Sequence, residues 1–227
     1  MREDGFVPNA AKYRGNTAKG QMIDEIVKKI LAMQKEMPAV QSVLVGISGI
    51  DACGKGYITE KVASELNDSR LNVAIINVDG WLNLPPSRFA PDNPGQHFYE
   101  NALRLDQMFD QLVLPLKANR SVRLAAEIAD ETAATFARHV YAYRDIDVIL
   151  LEGIFIFKLA FVDYFDLRVW IDCSFDIAME RAVNRSQEGL SAAQTIEAYN
   201  NIYFPAQRIH FENDNPRNAA DLIIANN

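Results

Sequence analysis

Short apolar runs alternate with helix-patterned segments along most of this chain. SVLVGIS (42–48) is followed by NVAIINV (72–78), DVILLEG (147–153), LRVWID (167–172) and ADLIIAN (220–226). Val, Ile and Leu fill both faces of most of these runs, as strands of a covered parallel sheet require. Between them, Lys55–Leu66, Phe98–Leu116, Ile177–Arg185 and Ala192–Phe211 carry helical spacing, and Pro205 predicts a kink in the last. Ahead of the first run, Met22, Ile23, Ile26, Ile30 and Met33 share one face of a helix over 20–37 that Pro38 ends. This alternation predicts an α/β fold: a doubly wound, mainly parallel five-stranded sheet with helices on both faces. Residues 121–143 interrupt it. Val122, Leu124, Ala126 and Ile128 alternate as in a strand, and TFARHVYAY is either its hairpin partner, forming a flap over substrate, or a helical turn. Residues 1–19, polar with Gly and Pro, predict a poorly ordered arm, and 20–227 a single domain.

Composition narrows the class. The 227 residues are 49% hydrophobic and 23% charged, ordinary for a soluble globular protein. A formal charge of −7 argues against a bulk-basic nucleic-acid binder. The two cysteines, Cys53 and Cys173, suggest neither a metal cluster nor a structural disulfide. The first twenty residues lack the apolar core of a signal peptide, and no window approaches 18 apolar residues, so the expectation is a cytoplasmic protein without a membrane partner.

The chemistry starts where the first strand ends. Gly49, Gly54 and Lys55 meet the pattern G-x-x-x-x-G-K between a strand and a helix. Such a loop, here Gly49, Ile50, Asp51, Ala52, Cys53, Gly54, Lys55, Gly56 and Tyr57, wraps a phosphate chain in main-chain N–H groups. The helix behind it points its positive end at the same anion, and Lys55 supplies a point charge. Gly56 stands where a Ser or Thr would hold Mg²⁺ through its hydroxyl. Adenylate-kinase-like loops also run Gly-Lys-Gly, with the metal held mainly by phosphates and water. The competing reading is a glycine-rich turn with a surface lysine. Cys53, near a helix N-terminus, is either an oxidation-sensitive thiol of lowered pKa or a small tolerated residue.

Ligands of open α/β sheets bind beyond the carboxyl ends of the strands. Asp79 closes NVAIINVD and Glu152 closes DVILLE. A kinase needs one carboxylate to orient or deprotonate the attacking hydroxyl and another to hold the metal. Asp79 suits the first task and Glu152 the second; the alternative for each is a capping or solvated acid.

GISGIDACGKG, INVDGWL, ILLEGIFIF, WIDCSFDIAMERAVNRSQEG and YFPAQRIHFENDNPRNAADLIIAN, in that order, resemble the uridine kinase and phosphoribulokinase branch of the P-loop kinases from about Val43 to Ile224. The resemblance implies a P-loop NTPase-type kinase domain using ATP and Mg²⁺. It implies Asp79, with Trp81, as catalytic base, although Gly80 and Leu82 loosen that match. Glu152-Gly153-Ile154 matches the family's acid-Gly-Ile, and Arg181 and Arg185 match an arginine-bearing lid helix. The competing reading of these arginines is a solvated helix face beside Glu180 and Glu188. In the nucleoside-contacting stretch Asp130 matches and Arg138 lies close, but the family's Tyr and His are missing. Trp81, Arg88, His97, Phe98 and Tyr99 are further candidates for an acceptor pocket. Pro216, Arg217 and Asn218 match the loop against the adenine. The implied acceptor is a nucleoside such as uridine or cytidine; a sugar phosphate, a pantothenate-like acid, or nucleotide binding without chemistry are the alternatives. The helix over 20–37 packs either on its own domain or on a second copy, so a homo-oligomer remains open.

Overall fold

The computed structural model describes residues 18–185 and 189–227. Most of the expected arm, residues 1–17, lies outside them, as does Glu188. Helix α1 (Ala18–Glu36) buries Ile23, Ile26, Val27 and Ile30 on one face. It leads into β1 (Val43–Gly49), α2 (Lys55–Asp68) and β2 (Val73–Asn77). A single 3₁₀ turn, Val78–Gly80, follows β2. Then come the short α3 (Pro85–Arg88), α4 (Pro94–Asn101), α5 (Leu105–Met108) and α6 (Leu114–Asn119). The hairpin β3 (Val122–Ile128) and β4 (Ala137–Tyr143) precedes β5 (Val148–Glu152), β6 (Leu167–Asp172), α7 (Phe175–Arg185), α8 (Ala192–Ala198), α9 (Phe204–Asp214) and β7 (Leu222–Ala225).

The five expected strands form one parallel sheet in the order β2-β5-β1-β6-β7, with helices around it. Every residue of β1 and β5 is buried, which is why both read as unbroken apolar runs. The chain leaves β1 toward β2 on one side and β6 toward β7 on the other, so a crevice opens beyond the carboxyl end of β1.

The single helix expected over Phe98–Leu116 is instead interrupted at Ala102–Arg104. There the backbone turns aside to pair with Trp81–Asn83: Asn83 N donates to Ala102 O (2.9 Å) and Arg104 N to Trp81 O (2.9 Å). Two helical stretches contain a π turn, Phe109–Val113 and Tyr199–Tyr203, each entered and left in helical geometry. Pro115 and Pro205 follow within two residues. A proline has no N–H for the carbonyl four residues back, and a wider turn accommodates the lost bond. The kink expected at Pro205 takes this form.

TFARHVYAY contributes β4, in antiparallel register from Val122 opposite Tyr143 to Ile128 opposite Ala137. The hairpin leans on the turn after β2: Ala129 N donates to Gly80 O (3.2 Å), and Tyr141 stacks on Trp81 at 6.0 Å. No described helix is long and apolar enough to cross a membrane.

Candidate active site

The loop between Gly49 and Lys55 turns through left-handed conformations at Ala52 (φ 56°) and Gly54 (φ 94°). Turns of this kind gather main-chain N–H groups into an anion-binding concavity, here at the N-terminus of α2. A Cβ at Gly54 would also lie 2.5 Å from Asn226 Nδ2. Asn226 closes on the loop from behind, donating to Cys53 O at 2.7 Å. Arg181 Nη1 donates to Asn226 O (2.9 Å) and Cys53 O (3.4 Å), and Gln207 Nε2 to Asp51 Oδ2 (3.0 Å). Lys55 Nζ donates to Ile50 O (3.0 Å) and Gly49 O (3.4 Å). Burial opposes its charge, but Cys53, Asp51, Glu152 and Asp79 outweigh this and raise its pKa above the ordinary lysine value. Cys53 is fully buried, and burial pushes its thiol pKa up despite Lys55, so the reading of a lowered-pKa thiol is corrected: the side chain is packing.

Asn77 and Glu152 are register partners at the ends of β2 and β5. Asn77 Nδ2 donates to Glu152 Oε1 at 2.5 Å, while Asn77 Oδ1 accepts from Asp79 N at 2.7 Å. Thr59 Oγ1 lies 3.4 Å from Glu152 Oε2. A Cβ at Gly56 would stand 3.6 Å from the same oxygen, ordinary contact. Glu152 is 7% exposed; burial raises its pKa and Asp79 adds to the rise, while Lys55 opposes it. Asp79 opens onto the cleft, yet the surrounding protein desolvates its carboxyl and raises its pKa, with Lys55 opposing and Asp51 adding.

Two adjoining cavities share Asp51, Asp79, Ile154 and Arg185. One, of about 360 Å³, is walled by Lys55, Gly56, Tyr57, Asn77 and Glu152. The other, about 70 Å³, adds Leu82, Arg88, Phe98, Glu131 and Tyr203. Arg88 is 3% exposed, and its Nη2 donates to Glu131 O at 2.8 Å. Asp79 thus stands where the two volumes meet.

The other residues singled out in the sequence lie outside these cavities. Trp81 is fully buried, with Tyr141 over its ring and the Arg104 guanidinium at 5.3 Å. His97 Nε2 donates to Ser87 O (2.9 Å) and ties α4 to α3. The exposed Asp130 accepts from Thr132 N and Oγ1, both at 2.9 Å, which lowers its pKa. Arg138 is exposed on β4 opposite Glu127. Arg217 pairs with Asp172 at 3.1 Å. Of the two arginines on α7, Arg185 faces the cleft, and Arg181 is drawn behind the loop by its bonds to main-chain oxygens. Reading the sequence overlooked Asn77 and Glu131. A polar residue closing an apolar strand could have flagged Asn77, as it flagged Asp79; nothing local distinguishes Glu131 from Asp130.

Asp214 joins α9 to α4 and to the segment after β5. It accepts from Tyr99 OH (2.5 Å), His210 Nδ1 (2.7 Å) and Leu159 N (2.9 Å). Burial lowers the His210 pKa more than Asp214 raises it, so the imidazole is neutral and donates through Nδ1.

No group of three or more His, Cys, Asp and Glu among the described residues could hold a metal by itself. The donors present are carboxylate oxygens, which suit Mg²⁺ when phosphate oxygens and water complete its octahedron. Glu152, next to Gly56, and Asp79 both face this cleft and are the residues whose chemistry would fit such an ion.

Residues 44–212 match the sequence profile of the Phosphoribulokinase / Uridine kinase family. The uridine kinase of Alkaliphilus metalliredigens is 25% identical over 186 residues, covering 80% of this chain and 86% of that protein. Uridine kinase-like protein 3 of Arabidopsis thaliana is 23% identical over 181 residues, 77% of this chain but 37% of that longer protein. Among solved structures, a possible uridine kinase from Bacillus stearothermophilus superposes with a TM-score of 0.70 at 22% identity, covering 90% of this chain and 97% of the other. D-glycerate 3-kinase from Cryptococcus neoformans superposes with a TM-score of 0.63 at 16% identity, over 85% of this chain and 88% of that one. The clamped glycine loop and the carboxylates at the ends of β2 and β5 are therefore those of a chain that belongs to the phosphoribulokinase/uridine kinase family.

Proposed function

We propose that this protein transfers the γ-phosphoryl group of ATP to a hydroxyl of a small molecule in the cytoplasm, with a nucleoside as the leading acceptor. The observation that carries this reading is the convergence of Lys55, Asp79 and Glu152 on one cleft at the carboxyl edge of the sheet. The loop N–H groups and Lys55 bind the phosphates. Asp79, where the two cavities meet, orients the acceptor hydroxyl and takes its proton as the oxygen bonds to phosphorus and ADP departs with the electrons of the broken P–O bond. Arg185 neutralises charge spreading over the transferred group. Glu152 would hold Mg²⁺, which when bound would supply neutralisation of the phosphate charge.

The nucleoside assignment leans on what the relatives are named. A phosphorylated sugar or acid is the second reading, favoured by Arg88 and Arg185 beside a cavity of only about 70 Å³. ADP release measured over a panel of nucleosides and sugar phosphates decides between them. Turnover with uridine or cytidine supports the first acceptor class; turnover confined to phosphorylated sugars supports the second. Nucleotide binding with no ADP release from any acceptor retires the kinase assignment.

A further inference from the structure

Asn77 touches Asp79 and Glu152, two of the acidic residues of the cleft, through opposite ends of one amide. Its orientation is dictated by chemistry. The main-chain N–H of Asp79 can only donate, so the atom 2.7 Å away must be the amide oxygen. The NH₂ group then faces Glu152 Oε1 at 2.5 Å, where a carboxylate accepts it. The same side chain therefore caps the turn that carries Asp79 and pins the head of Glu152 across the β2–β5 pair.

The pin matters because of Gly56. Without a side chain there, position 56 offers the Glu152 carboxylate no hydrogen bond, and Lys55 acts on it through its charge while donating to Gly49 O and Ile50 O; Thr59, the next residue on that face, lies at 3.4 Å. Glu152 carries three side-chain torsions that a backbone ligand lacks, and a metal ligand must be held within about 0.5 Å to be effective. The Thr59 hydroxyl has one proton and a nearer acceptor in Lys55 O at 3.0 Å, so Asn77 makes the short side-chain hydrogen bond to this carboxylate.

We propose that Asn77 is a positioning residue that sets the geometry of Glu152 relative to Asp79 and so replaces the order that a hydroxyl at position 56 would bring to the metal site. This rests on the kinase reading, and its test separates the two.

The probe is Mn²⁺ binding in the presence of ADP, followed by electron paramagnetic resonance, with metal-free ADP affinity measured by calorimetry on the same proteins. Asn77→Ser keeps a side-chain cap on the Asp79 turn but is too short to reach Glu152. It should weaken Mn²⁺ in the ADP complex about tenfold, leave metal-free ADP affinity unchanged, and lower kcat more than it raises the KM for ATP. Gly56→Ser fits at ordinary contact distance. Alone it should change Mn²⁺ affinity little, and in the Asn77→Ser background it should restore most of the loss, a non-additive cycle. If Asn77→Ser binds Mn²⁺·ADP as the unaltered protein does, or if Gly56→Ser fails to rescue it, the positioning role is wrong. If the unaltered protein binds no Mn²⁺ with ADP, the kinase reading falls instead.

Discussion

Gly153 offers the most direct test of how the sheet positions Asp79. A methyl group added there would lie 2.1 Å from Val78 Cγ2 and 2.7 Å from Cγ1. Carbon atoms in contact sit about 3.5–4.0 Å apart, so the nearer approach is about 1.4 Å too close. Val78 is fully buried and cannot swing into solvent. It opens the turn whose next residue is Asp79, so the relief must pass into that turn. Overpacking of this kind costs about 1–3 kcal/mol. At about 2–4 °C per kcal/mol for a chain of this length, Gly153→Ala should lower Tm by about 2–12 °C. A shift of about 1 Å at a catalytic group costs about 100-fold in rate, so kcat should fall by that order while the KM for ATP, set by the loop after β1, changes little. Thermal unfolding and steady-state ADP release read the two effects. Val78→Ala in the Gly153→Ala background removes both Cγ atoms and should recover part of each loss. A Gly153→Ala protein with unchanged Tm and kcat would refute the proposed wedge between β5 and the Asp79 turn.

Asp79→Asn should leave ADP binding intact by calorimetry and reduce kcat by about 10²–10⁴-fold; normal turnover would remove Asp79 from the chemistry. Arg185→Ala should cut kcat by about 10²-fold with ADP affinity preserved. Arg181→Ala should instead weaken ADP binding, because it frees Asn226 O and Cys53 O behind the loop, and identical kinetics for the two variants would contradict their separate placement. His210 has a pKa held below that of an ordinary histidine by burial, so the unfolded chain takes up a proton first as pH falls through about 6.5. Stability should then decline below about pH 6.5 by up to about 1.4 kcal/mol per pH unit. His210→Gln should flatten this limb of Tm against pH, and parallel curves for the two proteins would count against a neutral buried imidazole.

The strands were legible because their signal is local: Val148–Glu152 is buried on both faces and reads as an apolar run whatever surrounds it. The glycine loop was legible for the same reason, since the spacing of Gly49, Gly54 and Lys55 is the spacing of the turn itself. What the sequence concealed depends on partners far along the chain. The interruption at Ala102–Arg104 exists because Trp81 and Asn83 offer main-chain groups there. Trp81 reads as an open aromatic surface until Tyr141, sixty residues on, covers it. Asn77 becomes informative only once the register sets it beside Glu152. Asp130 is claimed by Thr132 in its own turn, and Glu131 is the acid that reaches the cavity.

The π turn at Tyr199–Tyr203 carries a consequence for how this architecture can vary. One residue of an α-helix corresponds to about 100° of rotation. Gln207 and Asp214 lie downstream of the wide turn, and Gln207 meets Asp51, and Asp214 meets Tyr99 and Leu159, only at the present angular phase. Deleting one residue from that turn would straighten the helix and swing both away together, carrying His210 with Asp214. Insertions and deletions here are thus quantised: a homologue with an unbroken helix would have to recruit other side chains to meet Asp51 in the glycine loop and Tyr99 on α4.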